Sequence, residues 1–327
     1  MIQFQYARVI TAKSAVDTVN RDATSMFVAG GTNLLDLMKR GITTPQKLVD
    51  INNLPLKNIE SVNGVTRIGT LALNGPVAEN KIILANHPLL SQALNAGASA
   101  QLRNMATVGG NIMQRTRCPY FYDTALPCNK REPGTGCGAL EGFNRMHAIF
   151  GYSDKCIAVN PSDMNVALVA LDATVLVTGP KGDRRIPFQD FHRLPGDTPE
   201  KDNNLNKGEL ILGVEIPNGP FTKNIHYLKL RDRASYAFAL VSVAAALNMS
   251  DKTIKDARLA MGGVAHKPWR LSEAEKALVG KTASEETFRN AANIAMTGAK
   301  GFKYNSFKIK MGANAIVETL KTASGIA

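Results

Sequence analysis

The chain has 327 residues, enough for two domains, and its 44% apolar and 20% charged content is that of an ordinary folded protein. Its most apolar run, residues 236–247, is shorter than the ~20 residues of a membrane span, and its first residues lack the basic start, apolar stretch and small-residue cleavage site of a signal peptide, so neither membrane insertion nor an export signal of its own is expected. A net charge of +12 invites a nucleic-acid reading, but Lys and Arg are scattered rather than gathered in one stripe with interleaved aromatics; no nucleic acid is expected, and an anionic cofactor or an acidic partner subunit suits the charge.

In chain order, Ser25–Ala29 reads as a buried strand, Leu34–Arg40 as a helix and Lys47–Ile51 as the next strand, a βαβ-type unit whose turn is Gly30-Gly31-Thr32-Asn33. Thr66–Leu71 is expected as a strand and His87–Ala98 as a helix ending near a glycine. Arg103–Ile112 is a second glycine-containing loop. Residues 114–160 follow, rich in Pro, Gly and charge and weakly periodic, and a loop of that length is uncommon unless functional or tied down. Met164–Ala173 reads as a buried helix, Thr174–Thr178 with Asp183–Ile186 as a hairpin, and Leu210–Ile216 as a strand closed by Pro217. From about Phe221 an α+β unit is expected, with strands near Ile225–Leu230, Ala239–Leu247 and Ile254–Gly262. Helices follow over Ser272–Val279, Ser284–Thr297 and the C-terminal segment.

Three groups of residues carry chemistry. Gly30 and Gly31 lie between a strand and a helix, where glycine lets a backbone approach a ligand and a helix N-terminus offers N–H groups to phosphate. Thr107-Val108-Gly109-Gly110-Asn111 makes the same offer, and two such loops could grip the two phosphates of a dinucleotide. Neither matches GxGxxG, and a strand–helix turn that binds nothing remains the plain alternative for each. The four cysteines, Cys118, Cys128, Cys137 and Cys156, crowd into one window spaced C-x9-C-x8-C-x18-C, which looks like a ligand set rather than a disulfide framework. That spacing matches neither zinc knuckles nor ferredoxin patterns, so it names no metal, and free or disulfide-paired cysteines in a surface insertion remain open. The five histidines show no metal-ligand spacing. No GxSxG, P-loop or nucleophile–base pair occurs, so no catalytic residue is expected, as for a protein whose chemistry belongs to a cofactor.

Phe27–Lys39 (FVAGGTNLLDLMK), Thr107–Ile112 (TVGGNI), Pro161–Leu171 (PSDMNVALVAL) and Leu210–Pro217 (LILGVEIP), in that order, resemble the FAD-binding subunits of the xanthine dehydrogenase and carbon monoxide dehydrogenase flavoprotein family. The resemblance implies an α+β chain: a two-subdomain FAD-binding fold of the PCMH, vanillyl-alcohol-oxidase-like type over residues 1–219, then a CO-dehydrogenase-flavoprotein-type C-terminal domain over 220–327. The subdomains would be about 1–55 and 56–219, the latter holding the cysteine insertion at about 114–160. It further implies FAD held by Ala29, Gly30, Gly31, Thr32, Asn33 and Leu34 on one side and Thr107, Gly109, Gly110 and Asn111 on the other. Asp163 would meet the ribose, Lys229 would lie near the adenine end, Leu210 or Ile211 would pack near the flavin, and Tyr236 would approach the isoalloxazine.

The insertion of about 45 residues between GGNI and PSDMN departs from the commonest family pattern and holds all four cysteines. Two branches share this feature, the aldehyde oxidoreductases of the bacterial periplasm and the 4-hydroxybenzoyl-CoA reductases. Residues 115–130, 136–143, 231–246 and 263–270 look closer to the first. That resemblance implies a [4Fe-4S] cluster on Cys118, Cys128, Cys137 and Cys156. It also implies a heterotrimer with a large molybdenum-cofactor subunit that oxidises aldehydes to carboxylic acids and a small subunit with two [2Fe-2S] clusters. Electrons would reach FAD and then an external acceptor. It favours the periplasm, reached with a signal-bearing partner, over the cytoplasm. A reading from another class is a basic, zinc-containing nucleic-acid-binding protein.

Overall fold

Three sheets and one buried helix between them organise the chain, in a computed structural model that describes residues 1–326. The first sheet is wholly parallel: Lys47–Asp50 lies between Gln5–Arg8 and Ser25–Val28, with Lys47 opposite both Gln5 and Ser25. Parallel neighbours need crossovers, and the helices Ala12–Arg21 and Leu34–Lys39 supply them. The expected βαβ unit is present. The strand Gln5–Arg8 and its helix escaped the sequence because the strand is a mostly exposed edge without alternation. Thr11 caps that helix reciprocally with Ser14.

The second sheet is antiparallel and has five strands, ordered Ile59–Val62, Val65–Gly69, Leu210–Pro217, Thr174–Gly179, Gly182–Pro187. Its central strand, Leu210–Pro217, pairs Val214 with both Ile68 and Val175. Residues 70–173 therefore leave the sheet at one strand and re-enter at its second neighbour. This excursion holds Pro88–Ala96, the TVGGN segment, the cysteine insertion and the helix Asp163–Ala170.

The third sheet is a meander of Trp269–Arg270, Thr253–Gly262, Val241–Ser250 and Ile225–Leu230. In Val241–Ser250 the alternate residues enter different cores. Val243, Ala245 and Leu247 pack under the helices Ser272–Leu278, Glu285–Ala295 and Phe307–Ser324, whereas Ala244 and Ala246 pack toward Asp163–Ala170. Burial of both faces makes this strand a continuous apolar run instead of an alternating one. All eight residues of Asp163–Ala170 are buried, and one apolar core runs from the second sheet through this helix to the third. Asp163, the first residue of that helix, is thereby placed where the sheets converge.

Candidate functional site

The first glycine loop lines the largest of the described cavities, about 640 Å³, together with Leu34, Leu210, Ile211, Thr107, Gly109 and Gly110. Gly31 has φ +70°, which a side chain rarely adopts, and a Cβ on Gly30 would sit 1.9 Å from the Met105 carbonyl oxygen. Gly30 thus must lack a side chain because two loops touch there. Among the described residues, the N–H groups of Gly31, Thr32 and Asn33 meet no protein acceptor. Asn33 accepts from the Arg115 N–H at 2.9 Å through Oδ1, and its buried Nδ2 is left without a partner. Free donors at the start of Leu34–Lys39 and cations from Arg115, Lys201 and Lys207 at the cavity wall suit an anionic, phosphate-bearing ligand.

The second glycine segment is not a loop but one helical turn, Val108–Ile112, capped by Thr107 Oγ1 accepting from the Gly110 N–H. Its leading donors are already used: Val108 gives its N–H to Ala72 and Gly109 to Thr70, and Asn111 gives its own to Thr107. Gly109 must lack a side chain because a Cβ would lie 1.9 Å from Thr70 Oγ1, whereas Gly110 meets only Thr107 Oγ1 at 3.0 Å. So the two segments offer different things: the first presents free backbone donors, the second a close-packed wall. Asn111 lines neither large cavity; its Oδ1 accepts from Ser162 Oγ at 2.7 Å, which ties the turn to the helix Asp163–Ala170.

Asp163 lines a second cavity of about 320 Å³, with His147, Phe238 and Cys118. Lys229 Nζ donates to Asp163 Oδ2 at 2.7 Å and Tyr227 OH to Oδ1 at 2.9 Å. Burial raises the Asp163 carboxyl above its ordinary value even though Lys229 and Tyr227 pull it down. Lys229 is covered by this pairing and lines neither cavity. Tyr236 is 57% exposed with φ +51° and lies outside both, while Ala237, Phe238 and Ala239, its followers, line the smaller. The expected site residues therefore divide between two cavities, with Lys229, Asn111 and Tyr236 behind or beside them.

Sequence reading missed one wall. Residues 200–209 run along the large cavity, and Asp202 there joins Arg115 and the buried Lys130. Burial favours the neutral acid, but Lys130 and Arg115 outweigh it and hold the Asp202 carboxyl at about 2. No signal in this unpatterned, polar loop marks it; it becomes a wall because the strand after it is central in its sheet.

The four cysteines face one space and none is disulfide-bonded. This space is tight, about 10 Å³ against about 640 Å³ for the cavity of the first glycine loop. Burial pushes Cys118 up to about 12 and Cys156 to about 11, and neighbouring cysteines push the same way. The Cys118 and Cys156 thiols would remain protonated unless a positive centre displaced the protons. Among the described residues no three or more His, Cys, Asp or Glu form a group that could hold a metal ion. A single tetrahedral zinc is therefore a poor fit to these thiols. Four thiols lining one space are the donor type the expected cluster would take, and the cluster itself stands as an expectation.

Residues 2–219 match the family described as FAD binding domain in molybdopterin dehydrogenase, and residues 226–300 match CO dehydrogenase flavoprotein C-terminal domain. The chain is 52% identical over 280 residues to the aldehyde oxidoreductase FAD-binding subunit PaoB of Escherichia coli K12, covering 85% of this chain and 86% of that one. It is 28% identical over 293 residues to the glyceraldehyde dehydrogenase medium chain of Sulfolobus acidocaldarius, covering 89% and 86%. A solved carbon monoxide dehydrogenase from Hydrogenophaga pseudoflava has the same fold, with a TM-score of 0.78 at 24% identity and all of both chains covered. The fold class and the family expected from the four motifs are the ones found. The chain belongs to the FAD-binding family of molybdopterin dehydrogenases, as a flavoprotein subunit of the aldehyde oxidoreductase, xanthine dehydrogenase and carbon monoxide dehydrogenase kind.

Proposed function

We propose that this chain is the FAD- and [4Fe-4S]-carrying electron-transfer subunit of a molybdenum-dependent aldehyde oxidoreductase. The observation that carries the reading is the 52% identity to an aldehyde oxidoreductase FAD-binding subunit along 85% of the chain. Its partners would be a large subunit with the molybdenum cofactor, where the aldehyde is oxidised, and a small subunit with [2Fe-2S] clusters. FAD would supply the redox chemistry that joins one-electron carriers to an external acceptor.

What the chain itself does is hold and shield. The first glycine loop presents backbone donors and the Asn33 amide to phosphate, Arg115, Lys201 and Lys207 neutralise its charge, and Leu210 and Ile211 give an apolar wall. For the cysteines, the convergence of all four on one space supports a cluster, and burial, which keeps the Cys118 and Cys156 thiols protonated, makes its assembly a proton-releasing step.

The test is an absorption spectrum of the anaerobically purified complex with flavin and metals quantified on the same sample. We expect one FAD per chain and about four irons per chain beyond the small partner's clusters. Flavin without the additional iron would remove the cluster and keep the subunit. Zinc in place of both would return the basic nucleic-acid-binding reading.

A further inference from the structure

Cys118 stands where two cavities meet. It lines the cysteine space with Cys128, Cys137 and Cys156, and it alone of the four also lines the 320 Å³ cavity of Asp163 and Phe238. At this junction His147 Nε2 lies 3.1 Å from Cys118 Sγ. An iron-bound thiolate has only lone pairs to offer, so the nitrogen facing it must carry the hydrogen. His147 Nδ1 is buried and meets no partner, as suits the bare nitrogen of a neutral imidazole.

The histidine is held from behind. Its carbonyl accepts from Asn305 Nδ2 at 3.1 Å and from Lys308 Nζ at 3.0 Å, 158 and 161 residues further along the chain. Asn305 also donates to the Ala148 carbonyl at 3.1 Å and Lys308 to the Gly263 carbonyl at 2.9 Å, and both side chains are fully buried. Among the described residues no carboxylate pairs with Lys308. Burial pulls the Lys308 amine down to about 7, and a cluster with four thiolates, anionic overall, would favour its charged form.

We propose that His147 donates a hydrogen bond to the Cys118 sulfur and raises the reduction potential of the cluster, with Asn305 and Lys308 as positioning residues. The inference rests on the [4Fe-4S] reading above. A hydrogen bond to a ligand sulfur draws off negative charge, which stabilises the more negative, reduced cluster. The C-terminal helix thus takes part in setting a potential that the cysteine insertion alone would not fix.

The test is an EPR-monitored redox titration of the whole complex, unsubstituted and with His147→Phe. The variant should keep its iron and its reduced-cluster signal while the midpoint moves to more negative potential by about a tenfold change in the reduced-to-oxidised ratio, ~59 mV for one electron. His147→Gln, which retains an N–H, should fall between the two. A full iron content with an unmoved midpoint in His147→Phe overturns the proposal. If His147→Phe loses the cluster, pulsed EPR on the unsubstituted complex with 15N-labelled histidine decides: a weak 15N coupling on the reduced four-iron cluster supports the hydrogen bond, and no coupling overturns it. Absence of the four-iron signal from the unsubstituted complex would instead bring down the cluster reading itself, and this inference with it.

Discussion

At the scale of single residues, the glycines of the site are required by the protein's own packing more than by a ligand. Gly30 is pressed against a backbone carbonyl that cannot retreat without moving the TVGGN turn, whereas Gly110 faces the cavity with one hydroxyl nearby. Gly30→Val should therefore abolish flavin retention and lower stability together, while Gly110→Ala should fold normally and lose less flavin. The ratio of flavin to protein absorbance, with a thermal melt of each variant, checks both. Burial also decides the protonation of histidines. His192 and His87 are held down to about 4 and His266 to about 3, each first by desolvation. His192 Nε2 donates to the Ile112 carbonyl at the end of the TVGGN turn, and His266 Nδ1 to the Arg193 carbonyl. These folded values lie below the ordinary value of about 6.5, so the unfolded chain binds more protons between them. Stability is whole above about pH 6.5 and falls as pH drops toward 4, by up to ~1.4 kcal/mol per unit for each such histidine. Melts from pH 7 to 4.5 should show this slope, and His192→Gln should flatten it.

At the scale of elements, one buried and one partly buried ion pair join segments distant in sequence. Asp163 and Lys229 pin the central helix to the third sheet, with side chains 8% and 5% exposed. Lys229→Met leaves a buried carboxylate unpaired and should cost roughly 3–5 kcal/mol in denaturant unfolding, with recovery in the Asp163→Asn, Lys229→Met double variant. Lys130 comes from the cysteine insertion, and its ammonium bonds Asp202 and the Pro199 carbonyl. Asp202 in turn bonds Arg115, whose backbone N–H bonds Asn33 in the first glycine loop. The insertion and the wall of the large cavity are thus one network. Lys130→Met should weaken FAD binding by about tenfold, ~1.4 kcal/mol, in a fluorescence titration. Unchanged affinity would show that the wall stands without the insertion.

At the scale of the whole molecule, one core links the second sheet, the helix Asp163–Ala170 and the third sheet, so the cavities lie between elements that cannot separate cheaply. In the proposed complex the net charge of +12 would serve assembly. The proposed complex predicts acidic partner surfaces and an association rate that falls as salt is raised, by one to three decades between low and high ionic strength. Stopped-flow mixing of separated subunits would measure it, and a salt-independent rate would remove electrostatics as the reason for the charge.

Local patterns made much of this legible. The strand Ile225–Leu230 lies where a strand was expected, and the Ser25–Val28 and Lys47–Asp50 strands with their intervening helix follow from apolar runs broken by glycines. The four motifs identified the family because their order is specific even though each is common. The exposed edge strand Gln5–Arg8 had no pattern to read, and the TVGGN segment looked like a loop because its glycines hide a helical turn held by Thr107. Residue identity and spacing thus determined most of the strands and longer helices, the glycine segments and the clustering of the cysteines along the chain. Only the tertiary structure decided that Gly30 must yield to Met105, that Asp202 walls the cavity, that Asp163 pairs with Lys229, and that His147 meets Cys118. Those contacts join residues tens to more than a hundred positions apart, and no local periodicity encodes which distant backbone or charge will be brought against them when the core closes.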